Sequence, residues 1–348
     1  MNFSFPKTGL ITVTVSLLWL VLGCEKDKPS TPEPTVRLLI ASSGLGDMSY
    51  NDNIFRGILQ AQQENYFRLE YISPKDDKEA EQILQNWKKE GEDPKTYFTI
   101  LAASEFESLA QRTMPSTPVS NYLMFDTKAD NFTIPVFHFT GYGVSFLAGI
   151  AAYTKVQTDK AVYLGGQQHE VFIEECYAGF RDGYIYAGGK EVIELYLHTT
   201  QKGFAMPKRA YQMADSLYRL YPFIYAMAGN SNNGLYEYLR DYPTAGYTAG
   251  VDIDQSAYSD RIIGSMIKEI DRCIKSYISA WIKGEEIPMR KWYTLESGFM
   301  AFKIAEPYKQ ELGKVIEENL QTAIEKEKEY EKNMPGNMPD MDVRMLQR

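Results

Sequence analysis

Val36-Arg37-Leu38-Leu39-Ile40-Ala41 is a short, mostly apolar run that breaks off into Ser42-Ser43-Gly44-Leu45-Gly46-Asp47, a polar loop with two glycines. Beyond the loop, Ile54, Phe55, Ile58, Leu59 and Gln62 recur at three- and four-residue spacing, which predicts a helix. Strand, polar loop and amphipathic helix make one half of a strand–helix–strand unit. Repetition of that unit predicts a parallel sheet with right-handed crossovers.

The alternation continues along the chain. Strands are predicted at 67–72, 97–102 and 122–125, with helices around 79–90 and around Phe106, Leu109 and Ala110. A second series opens with a strand at 136–139. Val144, Leu147, Ala148, Ala151 and Ala152 then mark a helix of small residues suited to close packing. Strands at 161–164, 192–196 and 223–228 alternate with helices carrying Phe172, Cys176 and Phe180, then Tyr211, Ala214, Leu217 and Tyr218. A strand at 247–251, one long helix over 261–283, a strand at 299–304 and a helix over 306–331 complete the body. Residues 332–348 are expected to fray. The fold class is α/β, two similar lobes with parallel sheets.

A length of 348 residues suits two domains or one bilobed body. Hydrophobic residues make up 44% and charged residues 24%, as in a globular chain that buries a core. The net charge of −9 argues against a sequence-independent grip on nucleic acid. Three cysteines and three histidines, none paired at metal-ligand spacing, leave no basis for a metal centre, a disulfide scaffold or a cofactor. Cys176 and Cys273 read as buried thiols, and His169 with Glu170 and Glu174 as polarity at a helix start.

At the N-terminus, Lys7 precedes an uncharged apolar stretch over 9–23, the length of a signal-peptide core and short for a permanent span. It ends in Leu20-Val21-Leu22-Gly23-Cys24, which resembles a bacterial lipobox. That resemblance implies cleavage after residue 23 and acylation of Cys24, hence a membrane-anchored protein of the cell envelope. Residues 24–35, with Pro29, Pro32 and Pro34, are expected to form a tether.

In open parallel sheets, ligands bind beyond the carboxyl ends of the strands. The loops to inspect are therefore 42–53, 102–105, 165–171, 228–234 and 252–260. Several carry recognisable motifs. Gly46-Asp47-Met48-Ser49-Tyr50-Asn51 resembles the Gly-x-Asp-x-Ser-Phe-Asn signature of the basic membrane protein family of bacterial substrate-binding lipoproteins. Val144-Ser145-Phe146-Leu147-Ala148-Gly149-Ile150-Ala151-Ala152 resembles that family's small-residue helix. Gly250-Val251-Asp252-Ile253-Asp254-Gln255 matches its Gly-Val-Asp-x-Asp-Gln segment, and Ser265-Met266-Ile267-Lys268 its Ser-x-x-Lys helix start. The motifs occur in family order over about residues 36–305.

The resemblance implies a type I periplasmic-binding-protein fold, two Rossmann-like lobes joined by a three-segment hinge. The expected division is 36–140 with 252–285 in the N-terminal lobe, and 141–251 with 286–331 in the C-terminal lobe. It also implies a purine nucleoside as ligand, an ABC permease as partner, and Asp47, Tyr50, Asn51, Asp252 and Lys268 as ligand contacts. Tyr50 stands where the family carries phenylalanine.

The residues themselves leave alternatives open. Asp47 either accepts from a base edge or caps the following helix. Tyr50 stacks on a flat ring or packs against its helix. Asp252, at a strand end, has two oxygens to offer the vicinal hydroxyls of a ribose, with Lys268 as its partner. Ser104 and Asn230 sit in strand-end loops suited to reading a base or to ordinary turns. Phe204 and Tyr225 are the candidate aromatics of the second lobe. Gly-x-Gly-x-x-Gly fails at Ser49, and an aspartate where phosphates would approach a helix N-terminus favours an uncharged ligand. No nucleophile accompanies His169, so an enzyme is not expected. A monomeric transport receptor leads; a ligand sensor on the same fold is the alternative.

If Cys24 carries the lipid, Cys24→Ala abolishes incorporation of an alkyne fatty acid in cells. Full labelling of that variant rules the site out.

Overall fold

The computed structural model describes residues 32–127, 129 and 132–333. The expected signal peptide, Cys24, most of the expected tether and the segment beyond Asn333 lie outside the described residues. The chain runs β1 (Thr35–Leu39), α1 (Tyr50–Glu64), β2 (Arg68–Ile72), α2 (Asp77–Glu90), β3 (Tyr97–Leu101), α3 (Glu107–Thr113), β4 (Tyr122–Phe125) and β5 (Val136–Phe139). It continues with α4 (Tyr142–Val156), β6 (Lys160–Gln167), α5 (Val171–Ala187), β7 (Glu191–His198), α6 (Pro207–Leu217), β8 (Phe223–Met227), α7 (Asn232–Asp241) and β9 (Tyr247–Gly250). Last come β10 (Ile262–Lys268), α8 (Ile270–Lys283), β11 (Arg290–Tyr293), β12 (Met300–Ile304) and α9 (Lys309–Asn333).

Two six-stranded sheets result, in the orders β11-β5-β4-β3-β1-β2 and β12-β10-β9-β8-β6-β7. The first is parallel throughout, and the second is parallel except where β12 runs against β10. Buried parallel strands read as continuous apolar runs, as in Phe223–Met227, whose five residues are all buried. The chain crosses between sheets three times: from β5 to α4 and β6, from β10 through α8 to β11, and from β11 to β12. This is the type I architecture that the resemblance implies.

The expected long helix over 261–283 is corrected. Its first part is β10, between β12 and β9 in the second sheet, and only Ile270–Lys283 is helical. The run Ile262, Ile263, Met266, Ile267, Ile270 and Ile274 is apolar enough to satisfy either period, and the sheet takes the first half. The expected lobe boundaries move accordingly. Residues 262–268 belong to the second sheet, and β11, within 286–331, pairs with β5 in the first.

Residues 142–152 of α4 are all buried, because α4 is covered by α5 and α9 as well as by sheet. A helix that is apolar all round has no face for solvent. Glycines let α4 and α5 meet backbone to backbone: a Cβ on Gly183 would lie 2.0 Å from the Phe146 carbonyl oxygen, and one on Gly179 2.1 Å from that of Tyr142.

Two buried carboxylates hold the hinge. Glu327 of α9 accepts from Thr140 Oγ1 at 2.6 Å and Gly143 N at 3.2 Å with one oxygen, and from Leu295 N at 3.0 Å with the other. It thereby ties the first crossover to the third. Glu175 of α5 accepts from Gly141 N at 2.9 Å and lies 3.1 Å from His138 Nε2. Burial pushes the Glu327 carboxyl up to about 7, against the pull of its three donors.

Gly183→Ala should lower thermal stability, because the helices must part and overpacking costs about 1–3 kcal/mol, more than the ~1 kcal/mol that alanine gains in helix propensity. A melting temperature at or above wild type contradicts the close approach. The pKa of Glu327 is raised on folding, so its contribution to stability is full below about 4.5 and is lost as pH rises through about 7. Melts between pH 5 and 8 should show stability falling with pH, and Glu327→Gln should flatten part of that slope. An unchanged slope would exclude Glu327 as a source.

Candidate ligand site between the lobes

The carboxyl ends of both sheets face one cavity of about 110 Å³, at the place the strand-end rule indicates. From the first lobe, β1 delivers Ser42 and Ser43, β3 delivers Ser104 and Glu105, and β4 delivers Asp126. From the second, β6 leads to Glu170 and Phe172, β8 to Asn230, β9 to Asp252, and β10 ends in Lys268.

Lys268 is 1% exposed and Asp126 5%. The Lys268 ammonium donates to Asp126 Oδ2 at 2.6 Å, and the Tyr50 hydroxyl donates to the same oxygen at 2.7 Å. Asp126 Oδ1 is buried without a hydrogen-bond partner. Lys268 Nζ also lies 3.8 Å from the centre of the Phe172 ring and 5.0 Å from those of Tyr50 and Phe139, a cage of three aromatic faces.

Asp252 receives a hydrogen bond on Oδ2 from Ser49 Oγ, across the cleft. Burial raises its pKa; Lys268 and Ser49 pull it back. Gln255 braces this loop from behind, taking Tyr236 OH at 2.6 Å and Val251 N at 2.8 Å, and its amide reaches across to Met48 O at 3.1 Å. Glu170 spans the cleft too. It accepts from Ile173 N at 2.8 Å, capping α5, and from Ser104 Oγ at 3.0 Å. Burial pushes its carboxyl up to about 7.

Asp47 is 3% exposed, and both oxygens serve the start of α1. Oδ2 accepts from Asn51 N at 2.8 Å, and Oδ1 from Ser49 N at 3.0 Å and Asp52 N at 3.2 Å. The capping alternative therefore accounts for its bonds, although the residue also lines the cavity. Burial lifts its pKa to about 6 despite these donors.

The backbone itself is bent to aim these groups. Asp126 (φ 60°) and Asp252 (φ 64°) are left-handed, and so are Met48 (φ 52°) and His169 (φ 63°), the neighbours of Asp47 and Glu170. Left-handed non-glycine residues are uncommon, and strained backbone gathers where side chains must point in unusual directions.

Of the nine candidates from sequence, Asp47, Tyr50, Ser104, Phe204, Asn230, Asp252 and Lys268 meet at the cavity. Two do not. Asn51 turns away to bind Ser43 Oγ and Gly44 O, bracing the loop. Tyr225 is wholly buried within the second lobe, its ring 4.8 Å from Phe180, because its position on β8 faces α5 rather than the strand end. Lys268 ends a strand instead of starting a helix, and its partner is Asp126, not Asp252. Asp126 was not singled out from sequence, while Glu170 had been read as polarity at a helix start and Phe172 as a helix-face residue, not as site residues. Asp126 directly follows a strand whose bounds were predicted, so the strand-end rule alone would have found it. Cys176 and Cys273 are free and buried, as expected. His169 is on the surface beside Glu174.

Comparison with known proteins accords with this arrangement. A family model described as ABC transporter substrate-binding protein PnrA-like (Bmp) matches residues 35–341. No curated protein matches the chain in sequence. An ABC transporter solute-binding protein from Aeropyrum pernix superposes with a TM-score of 0.69 at 18% identity, over 85% of this chain and 86% of that one. A transcriptional activator of the comK gene from Bacillus halodurans gives 0.63 at 16%, over 83% and 97%. A solute-binding protein from Burkholderia graminis, solved with D-arabinose, gives 0.58 at 12%, over 80% and 96%. At these identities the likeness is one of fold. The family match spans nearly the whole body, and the chain belongs to the Bmp family of PnrA-like ABC transporter substrate-binding proteins, solute binders and not enzymes.

Proposed function

We propose that this chain is a monomeric receptor that captures a purine nucleoside between its lobes and passes it to an ABC permease, held at the outer side of a bacterial membrane by lipid on Cys24. The observation that carries the reading is the pairing, in one cavity, of the aromatic rings of Tyr50, Phe172 and Phe204 with the carboxylates of Asp126 and Asp252. Flat rings suit a base, and carboxylates accept from vicinal hydroxyls. Lys268 is already neutralised by Asp126, and the other charged groups among the described residues of the wall are carboxylates, so a phosphate would meet net repulsion there. That favours nucleosides over nucleotides. A free pentose, such as the D-arabinose in the Burkholderia graminis neighbour, would cover less of the aromatic surface than a base does.

Calorimetry with nucleosides, nucleotides and free pentoses tests this, with purine ribosides expected to bind tightest. Nucleotides or pentoses ahead of nucleosides would overturn it. Wild-type protein should also prefer ribosides to 2′,3′-dideoxyribosides by about tenfold or more, since one charge-assisted hydrogen bond is worth ~1.5–3 kcal/mol. In Asp252→Ala that preference should vanish. Equal weakening of both ligands would limit Asp252 to its bond with Ser49.

A further inference from the structure

The described lining residues carry five carboxylates, Asp47, Glu105, Asp126, Glu170 and Asp252, against side-chain donors on Ser43, Gln201, Asn230 and Lys268. Glu105 follows β3 and takes Ser42 N at 2.6 Å and Ser42 Oγ at 3.1 Å, one bond on each oxygen. Glu170, opposite, likewise takes one bond on each oxygen, from Ile173 N and Ser104 Oγ. An ionised carboxylate has about four acceptor positions, so each keeps about two. Ser104 donates its proton to Glu170, and Ser42 donates its own to Glu105. Neither hydroxyl therefore has a donor left. Asp126 Oδ1, buried and without a partner, is a further acceptor on the Lys268 side of the cavity, where the sugar lies in the nucleoside reading. Lys268 is the only cationic residue among the described lining residues, and it is held by Asp126. Desolvation raises the carboxyls of Glu105 and Glu170, although both residues are only half-buried, so it is the ligand that takes the remaining water from them.

A ligand that seals this cavity has to supply protons to these oxygens, because a buried acceptor without a donor is costly and two facing acceptors repel. Resting on the nucleoside reading above, with Asp252 and Lys268 at the sugar, the base lies against the Ser42, Ser104, Glu105 and Glu170 side. We infer that this receptor selects purine nucleosides whose base carries exocyclic amino groups, and discriminates against their oxo counterparts, through Glu105 and Glu170. An amino group donates two N–H bonds where an oxo group presents lone pairs to a carboxylate, and the single N1–H beside a 6-oxo group replaces only part of that loss. An acidic base that ionises is disfavoured most, as its charge matches that of the wall.

The test is calorimetry at pH 8, above the value of about 7 to which burial lifts Glu170. The probes are 2,6-diaminopurine riboside, adenosine, guanosine, inosine and xanthosine. The diamino, adenine and guanine ribosides should bind at least about tenfold tighter than inosine, the worth of one charge-assisted bond, with xanthosine last. In the double variant Glu105→Gln, Glu170→Gln, whose amides offer donors of similar shape, the ratio should fall toward one while inosine holds or gains. A merely structural role for the two residues would instead weaken every ligand alike and leave the ratio intact, which overturns the inference. Inosine or xanthosine equal to adenosine in the wild type overturns it also, while leaving the nucleoside reading in place. Binding of none of the five overturns both.

Discussion

A lysine ammonium in a protein interior has to find a counter-charge, and the packing around Lys268 follows from that requirement. The residue ends β10 in the second sheet, yet its partner Asp126 ends β4 in the first, 142 positions away in sequence. Its main chain is committed as well: the carbonyl accepts from Asn53 Nδ2 at 2.8 Å, and the amide donates to Asp252 O at 2.9 Å. Side chain and backbone together pin α1, β4, β9 and β10 around one point. Removing one partner of a buried pair of this kind costs about 3–5 kcal/mol, so the geometry of the cleft and the ionisation of its centre are coupled.

Around that centre, polar contacts bridge the two lobes. Ser49 to Asp252, Gln255 to Met48 and Ser104 to Glu170 all cross the cleft. Apolar contacts line the hinge, where Phe139 stacks on Tyr293 at 5.2 Å between ring centres and Phe299 packs tilted on Tyr293 at 4.5 Å. This division suits a protein that opens and closes. Polar contacts at the mouth exchange for water at small net cost, while the apolar hinge stays buried. Glu327 and Glu175 serve the hinge from the helices behind it, fixing the amides of the crossing strands without entering the cleft.

The wall chemistry follows from where α/β strands end. A parallel sheet puts every strand terminus on one edge, and helix starts there present unpaired amides that carboxylates satisfy. Asp47 and Glu170 are such caps, and their presence makes the cavity acidic before any ligand is considered. Fold and ligand preference are linked through this. Groups that close helices also repel anions.

Much of this was legible in the amino-acid order. Buried parallel strands read as short apolar runs and helix faces repeat at about 3.6 residues, so β4 and β5 were read to the residue and the small-residue helix was recognised. Motifs around Asp47 and Asp252 marked the cleft. Periodicity is local, however, and it failed where local patterns were ambiguous or weak. The apolar run from Ile262 to Ile278 serves a strand and a helix equally well, and the four residues of β11 at a sheet edge include two charged ones. What only the tertiary structure decided is which side chains share a space. That Lys268 pairs with Asp126 and not Asp252, that Glu170 reaches Ser104, and that Tyr225 sits within the lobe core all depend on contacts between segments 66 to 142 residues apart or on which side of a sheet a strand position faces. Burial assigns a charge its partner by distance in space, and distance in space is not written in any one stretch of sequence.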